Sequence, residues 1–207
     1  MASELSQLLA GLEEEKVLSL VRDRLGRGDG PLTLVEECRA GMAVVGERYE
    51  KGEYFLSDLV MSAEVFRNAM GLIEPHLKGV AVGSRGVVVM GTAQGDIHDI
   101  GKNIVAAMLR CSGFTVYDLG VDVPPLAFVE KVKETGAPVV GMSVLLTTSF
   151  NSLKQTVEAL RASGNPKILI GGGPVSDIVC SHVGADGWGK DAMDAVKLCQ
   201  RYADARQ

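Results

Sequence analysis

The chain has 207 residues, enough for one large domain or two small ones and ample to bury a core. Hydrophobic residues make up 46% and charged residues 23%, a globular balance and not a disordered one. A formal net charge of -5 and a pI near 5.3 argue against a nucleic-acid backbone as the main partner, since phosphate binding rests on basic surface.

Residues 1 to about 80 contain no convincing strand. Leu5, Leu8, Leu9 and Leu12 form one helical stripe closed near Gly11, and Val17, Leu18, Val21 and Leu25 form a second. Gly26, Gly28 and Gly30 with Asp29 break the pattern, and Pro31 suits the first turn of a third helix. Along it Val35, Cys38, Met42, Val45 and Tyr49 recur at alternating spacings of three and four. Lys51-Gly52-Glu53 makes a turn, and Ser57 is the expected N-cap of a fourth helix with the stripe Leu59, Ala63, Phe66, Met70, Ile73 and Leu77. Four such helices with short joints predict a four-helix bundle over 1–80. Most of these apolar residues are expected to be core. Tyr54-Phe55-Leu56 is the exception, because it falls in a turn at a bundle end, where an aromatic could cover a ligand held by the next domain.

Residues 79–86 are small and flexible and read as a linker. The domain expected over 86–207 alternates strands and helices. Strands are predicted at 87–90, 114–119, 138–142 and 167–170, with a weak one near 185–188. The intervening helices are predicted at 102–111, from Pro124-Pro125 through Val132, over Phe150–Leu160, as a short piece after the glycines, and from Asp191 to about Tyr202. Such β-α units imply a parallel sheet covered on both faces, Rossmann-like and, in the flavodoxin-like order 2-1-3-4-5, with strands 1 and 3 flanking the switch point.

No apolar run approaches the roughly 20 residues that span a bilayer, and the N-terminus lacks a basic stretch followed by an apolar one, so no membrane association is expected. Cys38, Cys111, Cys180 and Cys199 are scattered without a C-x-x-C pair. Three fall on apolar faces of predicted helices, so buried free thiols in a cytoplasmic protein are expected.

Three strand-end loops stand out: Gly91 to Asn103 after the first strand, Ser143 to Ser149 after the third, and Gly171-Gly172-Gly173 after the fourth. In the order 2-1-3-4-5 they converge on one rim. Gly91, Gly95 and Gly101 are too widely spaced for a dinucleotide fingerprint, and no Walker A loop occurs. Zinc hydrolysis needs several protein ligands, but only three histidines exist, and His76 and His182 read as ordinary helix residues. A lone His98 suffices when a metal brings its own macrocycle, with Asp96 as the carboxylate fixing the imidazole tautomer. From the residues alone, that reading and a satisfied loop histidine both stand.

Asp96-x-His98-x-x-Gly101, followed by Ser143-x-Leu145 and the glycine run 171–173, resembles the cobamide-binding signature of B12-dependent methyltransferases and related mutases. The glycine pair matches as Gly172-Gly173 or, with one residue deleted, as Gly171-Gly172. Residues 40–75 are similar to the helical cap that precedes this domain in methionine synthase and in corrinoid proteins of methanol, methylamine and methoxyaryl methyltransferases. The resemblance covers nearly the whole chain. It implies a base-off cobamide with His98 as the lower axial cobalt ligand and Asp96 holding the imidazole, while Ser149 matches the hydroxyl that extends this relay in methionine synthase. It implies contacts to the cofactor from Gly95, Asp96, Ile97, His98, Asp99, Ile100 and Gly101. Ser143, Leu145 and Thr147 would line the tail channel, Gly171, Gly172 and Gly173 would make room for the nucleotide, and Phe55 would lie in the cap. Helix capping by Ser149 and loop turning by the glycines are the plainer alternatives.

The function implied is a corrinoid methyl carrier, a subunit inert alone, in which Co(I) takes a methyl group presented by a substrate-specific methyltransferase and methyl-Co(III) gives it to a second methyltransferase for tetrahydrofolate or coenzyme M. A reductive activator of the corrinoid is the third expected partner, and the linker 79–86 would act as a hinge. A B12-dependent regulator would need a basic DNA-reading module and a tryptophan-bearing cap motif, yet the sole tryptophan is Trp188. The small cobamide-binding subunit of a mutase shares the signature without the helical cap.

Overall fold

The computed structural model describes residues 3–77 and 84–204. Most of the expected linker, and with it the hinge, lies outside the described residues; Ser84 to Gly86 are described and run beside Thr115, whose N–H donates to Gly86 O at 2.9 Å. The chain divides into two compact units, one built on the N-terminal helices and one on a sheet.

The helical unit contains α1 (Glu4–Ala10), α2 (Glu14–Gly26), α3 (Pro31–Glu50) and α4 (Leu56–Ile73). Ser3 caps α1 by accepting the Ser6 N–H, and Pro31 occupies the first turn of α3, where its missing N–H costs nothing. α1 packs on α3, α3 on α4 and α2 on α4, burying Leu5, Leu9, Val17, Val21, Val35, Cys38, Val45 and Leu59. Ser57 does not cap α4. The N-cap is Phe55, whose N–H donates to the Asp58 carboxylate at 2.7 Å, so the acidic side chain one turn in replaces a hydroxyl cap. α4 also stops at Ile73, before the predicted Leu77. Pro75 has no N–H to continue the ladder, and Glu74–His76 tighten into a 3-10 turn. The buried face of α4 runs through Leu59, Ser62, Val65, Phe66, Ala69 and Ile73, displaced from the predicted stripe because the small Ser62 and Ala69 permit close approach; the Ser62 hydroxyl is satisfied by Leu59 O at 2.9 Å.

Gly41 sets the approach of α3 to α1. A Cβ there would stand 2.9 Å from Ser6 O and 3.1 Å from the Leu9 side chain. Gly41→Ala is therefore expected to cost about 1–2 kcal/mol in a denaturant titration, overpacking outweighing the better helix propensity. The same change at exposed Gly71, where nothing stands within 4 Å, should be neutral or stabilising by up to ~1 kcal/mol. Equal effects at both positions would reject this account.

The second unit is a five-stranded sheet in the order β2-β1-β3-β4-β5, with every pairing parallel. Its strands are β1 (Val87–Thr92), β2 (Thr115–Asp118), β3 (Val139–Ser143), β4 (Lys167–Gly171) and β5 (Gly187–Gly189). Its helices are α5 (Ile100–Cys111), α6 (Pro125–Thr135), α7 (Phe150–Ser163), α8 (Asp177–Val183) and α9 (Ala192–Asp204). β-branched runs such as Val87-Val88-Val89 suit strands buried on both faces. Val89, Val140, Met142, Ile168 and Ile170 pack with Phe128, Leu153 and Leu160 in one core. Gly91 lets Phe128 press onto β1, since a Cβ there would stand 2.7 Å from the ring. α5 begins at Ile100 and not at 102, with Asp99 O taking the Asn103 N–H at 2.8 Å. The register sets Thr92, Ser143 and Gly171 side by side at the C-terminal ends of β1, β3 and β4, so the three unusual loops leave from one edge, at the switch point between β1 and β3.

Candidate functional site

The loop after β1 turns tightly: Asp96 N–H donates to Ala93 O at 3.0 Å, and Gly95 takes φ +87, which glycine adopts without steric penalty. This turn carries the Asp96 carboxylate inward until the residue is fully buried, at 0% exposure. Its Oδ1 accepts the His98 N–H at 3.0 Å and lies 2.7 Å from His98 Nδ1. Its Oδ2 accepts the Leu145 N–H at 2.5 Å and the Leu146 N–H at 2.9 Å. Burial pushes the Asp96 pKa up, but the amides of Leu145, His98 and Leu146 together with the imidazole outweigh it and hold the group at about 2. Asp96 is thus a permanent anion at neutral pH.

His98 keeps a side chain 48% exposed. With Nδ1 engaged by the carboxylate as a donor, Nε2 is left as the free basic nitrogen, the arrangement that orients imidazole as a metal ligand. Ile97 and Ile100 beside it are both strongly exposed. Gly101 lies in the first turn of α5 with ordinary φ, and nothing stands within 4 Å of where its Cβ would be. Neither backbone geometry nor packing demands glycine there.

Of the rest of the predicted set, Ser143, Leu145 and Thr147 and the glycines 171–173 follow the C-terminal ends of β3 and β4, beside the end of β1. Ser143 ends β3, and its carbonyl takes the Ala93 N–H at 3.0 Å. Leu145 and Thr147 are exposed on the following loop. Gly171 O accepts the Val144 N–H at 2.9 Å, and Gly172, at φ +135, lies so close to Val144 that a Cβ would stand 1.8 Å from its carbonyl oxygen. Gly173 stands against Leu145, whose Cδ1 is 3.2 Å from a Cβ placed there. Gly172 therefore serves the joint between the β3 and β4 loops. Asp99 bonds the Asn103 amide at 3.1 Å and reaches no part of the His98 side chain. Phe55 belongs to the helical unit, where it is 71% exposed.

Ser149 is buried at 3% but is not among the donors to the Asp96 carboxylate. Its Oγ lies 3.2 Å from the position a Cβ on Gly95 would take, and its side chain makes no capping bond to α7. The three-membered chain of hydrogen bonds implied by the resemblance is thus a direct pair, Asp96 and His98, with Ser149 one residue away.

Several residues that hold the site escape sequence reasoning. The buried Thr92 hydroxyl donates to His98 O at 2.9 Å, Asp122 Oδ1 accepts the Gly95 N–H at 2.7 Å, and the Ser152 hydroxyl donates to Gln94 O at 2.6 Å. Lys102 is buried on α5 and pairs with Asp118 at the end of β2 at 2.5 Å. Its signal was a charge on the stripe shared with Ala106 and Leu109. The others carried none, being short polar residues at a strand end (Thr92), in a loop (Asp122) and in the first turn of α7 (Ser152).

Among the described residues no group of three or more His, Cys, Asp or Glu could hold a metal ion. Nor, among them, is any helix long and apolar enough to cross a membrane.

Residues 86–197 match the family model of a B12 binding domain, and residues 1–74 match a second B12 binding domain. A corrinoid protein of Desulfitobacterium hafniense is 39% identical over 97% of this chain and 96% of its own length. A trimethylamine corrinoid protein of Methanosarcina acetivorans is likewise 39% identical, over 91% and 90%. Among solved structures, the methanol:cobalamin methyltransferase complex of Methanosarcina barkeri contains a chain matched with a TM-score of 0.86 at 30% identity, covering 97% of this chain and 78% of that one. With its paired B12 binding domains and its end-to-end likeness to these proteins, the chain belongs to the family of B12-binding corrinoid proteins of methyltransferase systems.

Proposed function

We propose that this chain carries a methyl group on a cobamide in a multi-component methyltransferase system, with His98 as the protein's single ligand to cobalt. The observation that carries the proposal is the Asp96–His98 pair, an imidazole oriented by a buried anion with its second nitrogen left free. A bound cobamide supplies a cobalt centre able to accept a methyl group and give it up again. The donor set fits such a group: one basic nitrogen, two exposed isoleucines beside it, and at Gly101 a space that a side chain would fill.

The remaining roles belong to the chain. Asp96 holds the proton on Nδ1, so that Nε2 is unprotonated and ready to ligate. The carboxylate 2.7 Å from Nδ1 would hold the ring proton and balance any positive charge on the imidazole. Because Asp96 is anchored by three main-chain amides besides the imidazole, it would keep His98 oriented towards a bound group. Ser143, Leu145 and Thr147 with the glycines 171–173 would border the cofactor's tail.

The partners would be a substrate-specific methyltransferase for a methylamine, methanol or methoxyaryl donor, a second methyltransferase passing the group to tetrahydrofolate or coenzyme M, and a reductive activator. A cytoplasmic setting accords with four buried free thiols. The test is reconstitution with a cobamide. The expected product is base-off and histidine-ligated by absorption, with nitrogen coupling in electron paramagnetic resonance of the Co(II) state. His98→Gly should lose that coupling with its circular dichroism unchanged. A cobamide retained in the base-on form, or nitrogen coupling that survives His98→Gly, would refute the assignment.

A further inference from the structure

We propose that Asp122 and Thr92 are positioning residues that hold the main chain of the Gln94–His98 loop, so that ligation and release of His98 are confined to its side chain. This inference rests on the reading of His98 as the metal ligand. Asp122, in the loop between β2 and α6, grips the segment twice: its Oδ1 accepts the Gly95 N–H at 2.7 Å, and its own N–H donates to Asp96 O at 2.9 Å. Thr92 secures the far end through its hydroxyl to His98 O at 2.9 Å.

Neither residue is where core packing would put it. Asp122 is exposed and adopts φ +52, a left-handed conformation that costs a residue with a Cβ about 1 kcal/mol and suits glycine better. What aspartate supplies and glycine lacks is the acceptor for Gly95. Thr92 ends a strand otherwise made of valines, methionine and glycine and is wholly buried; valine would fill the same volume without a hydroxyl. Its N–H and C=O are already used by Gly120 O and the Val123 N–H, so the hydroxyl is the only part of it that reaches His98. Three main-chain atoms, Gly95 N, Asp96 O and His98 O, are thus held from outside the carboxylate–imidazole pair.

The experiment uses Asp122→Gly, which relieves the backbone and removes only the acceptor, and Asp122→Asn, which keeps an acceptor oxygen. In cobamide-free protein, hydrogen exchange at the Gly95 amide is expected to accelerate about tenfold in Asp122→Gly with no loss of thermal stability, and to stay near the original rate in Asp122→Asn. In protein loaded with Co(II) cobamide, Asp122→Gly and Thr92→Val should each show a mixture of nitrogen-coupled and uncoupled signals, while Asp122→Asn and Thr92→Ser keep the coupling. Unchanged Gly95 exchange, or full coupling, in Asp122→Gly overturns the proposal. Absence of coupling in the unsubstituted protein would refute the ligand reading itself, and the exchange measurement on cobamide-free protein would still decide whether the grip exists.

Discussion

Asp96→Asn is expected to lower the free energy of unfolding at pH 7 by about 3 kcal/mol. The carboxylate uses both oxygens as acceptors, Oδ1 for His98 N–H and Nδ1–H and Oδ2 for Leu145 and Leu146. Asparagine offers one oxygen and an NH2 group. With its NH2 towards Leu145 and Leu146 two amides face a donor; turned the other way, Nδ1 can change tautomer and accept, but the His98 N–H still faces a donor, at ~1–3 kcal/mol for each group left unsatisfied. The pH dependence follows from the same contacts. The folded pKa of about 2 lies below the ordinary value near 3.9, so the stabilisation is fully present above about pH 5. It is lost as pH falls through 3.9 towards 2, and amounts to about 2–3 kcal/mol. Denaturant titrations between pH 5 and pH 2 should therefore show a shallower acid loss in the variant than in the original protein. Parallel curves would mean that Asp96 is not the buried anion described.

Gly172→Ala is expected to cost more than ~4 kcal/mol or to prevent accumulation of folded protein. A Cβ would stand 1.8 Å from Val144 O and 2.8 Å from its carbonyl carbon, both main-chain atoms of the joint between β3 and β4, and φ +135 lies outside the regions open to alanine. Relief requires moving Val144, and the adjacent Leu145 amide holds Asp96, so damage would spread to the site. Gly101→Ala is the control. With open space and ordinary φ there, stability should change by less than ~1 kcal/mol, while cobamide uptake should weaken. Thermal melts of both variants check this, and a well-folded Gly172→Ala would show that the β3–β4 joint yields more easily than its geometry indicates.

The parts legible beforehand share a physical cause. Short β-branched runs between glycines read as strands, and their alternation with helices of this length implied a parallel sheet; the convergence of the three loops held only for the order 2-1-3-4-5, which the sheet has. His98 stood out because an imidazole on a strand-end loop among glycines has no packing role. Errors fell where one hydrogen bond outweighs a propensity. Ser57 is the better capping residue by type, yet Asp58 reaches back to Phe55 and moves the start of α4. The α4 stripe slipped because burial of Ser62 depends on which neighbour comes close, a matter of shape and not of hydropathy.

Residue types and their spacing, by themselves, determined that this chain has a helical first part and a parallel-sheet second part, and that Asp96 and His98 meet, because two residues of separation on one tight loop leave them little choice. Tertiary structure alone decided what surrounds that pair. The donors to Asp96 from Leu145 and Leu146 and the grip of Asp122 come from other strand ends, 49, 50 and 27 residues away in sequence from their partners. Such bonds are made by main-chain amides that every residue carries, or by short polar side chains common in any turn. No residue type marks them, and only the register of β1 against β2 and β3 brings them together.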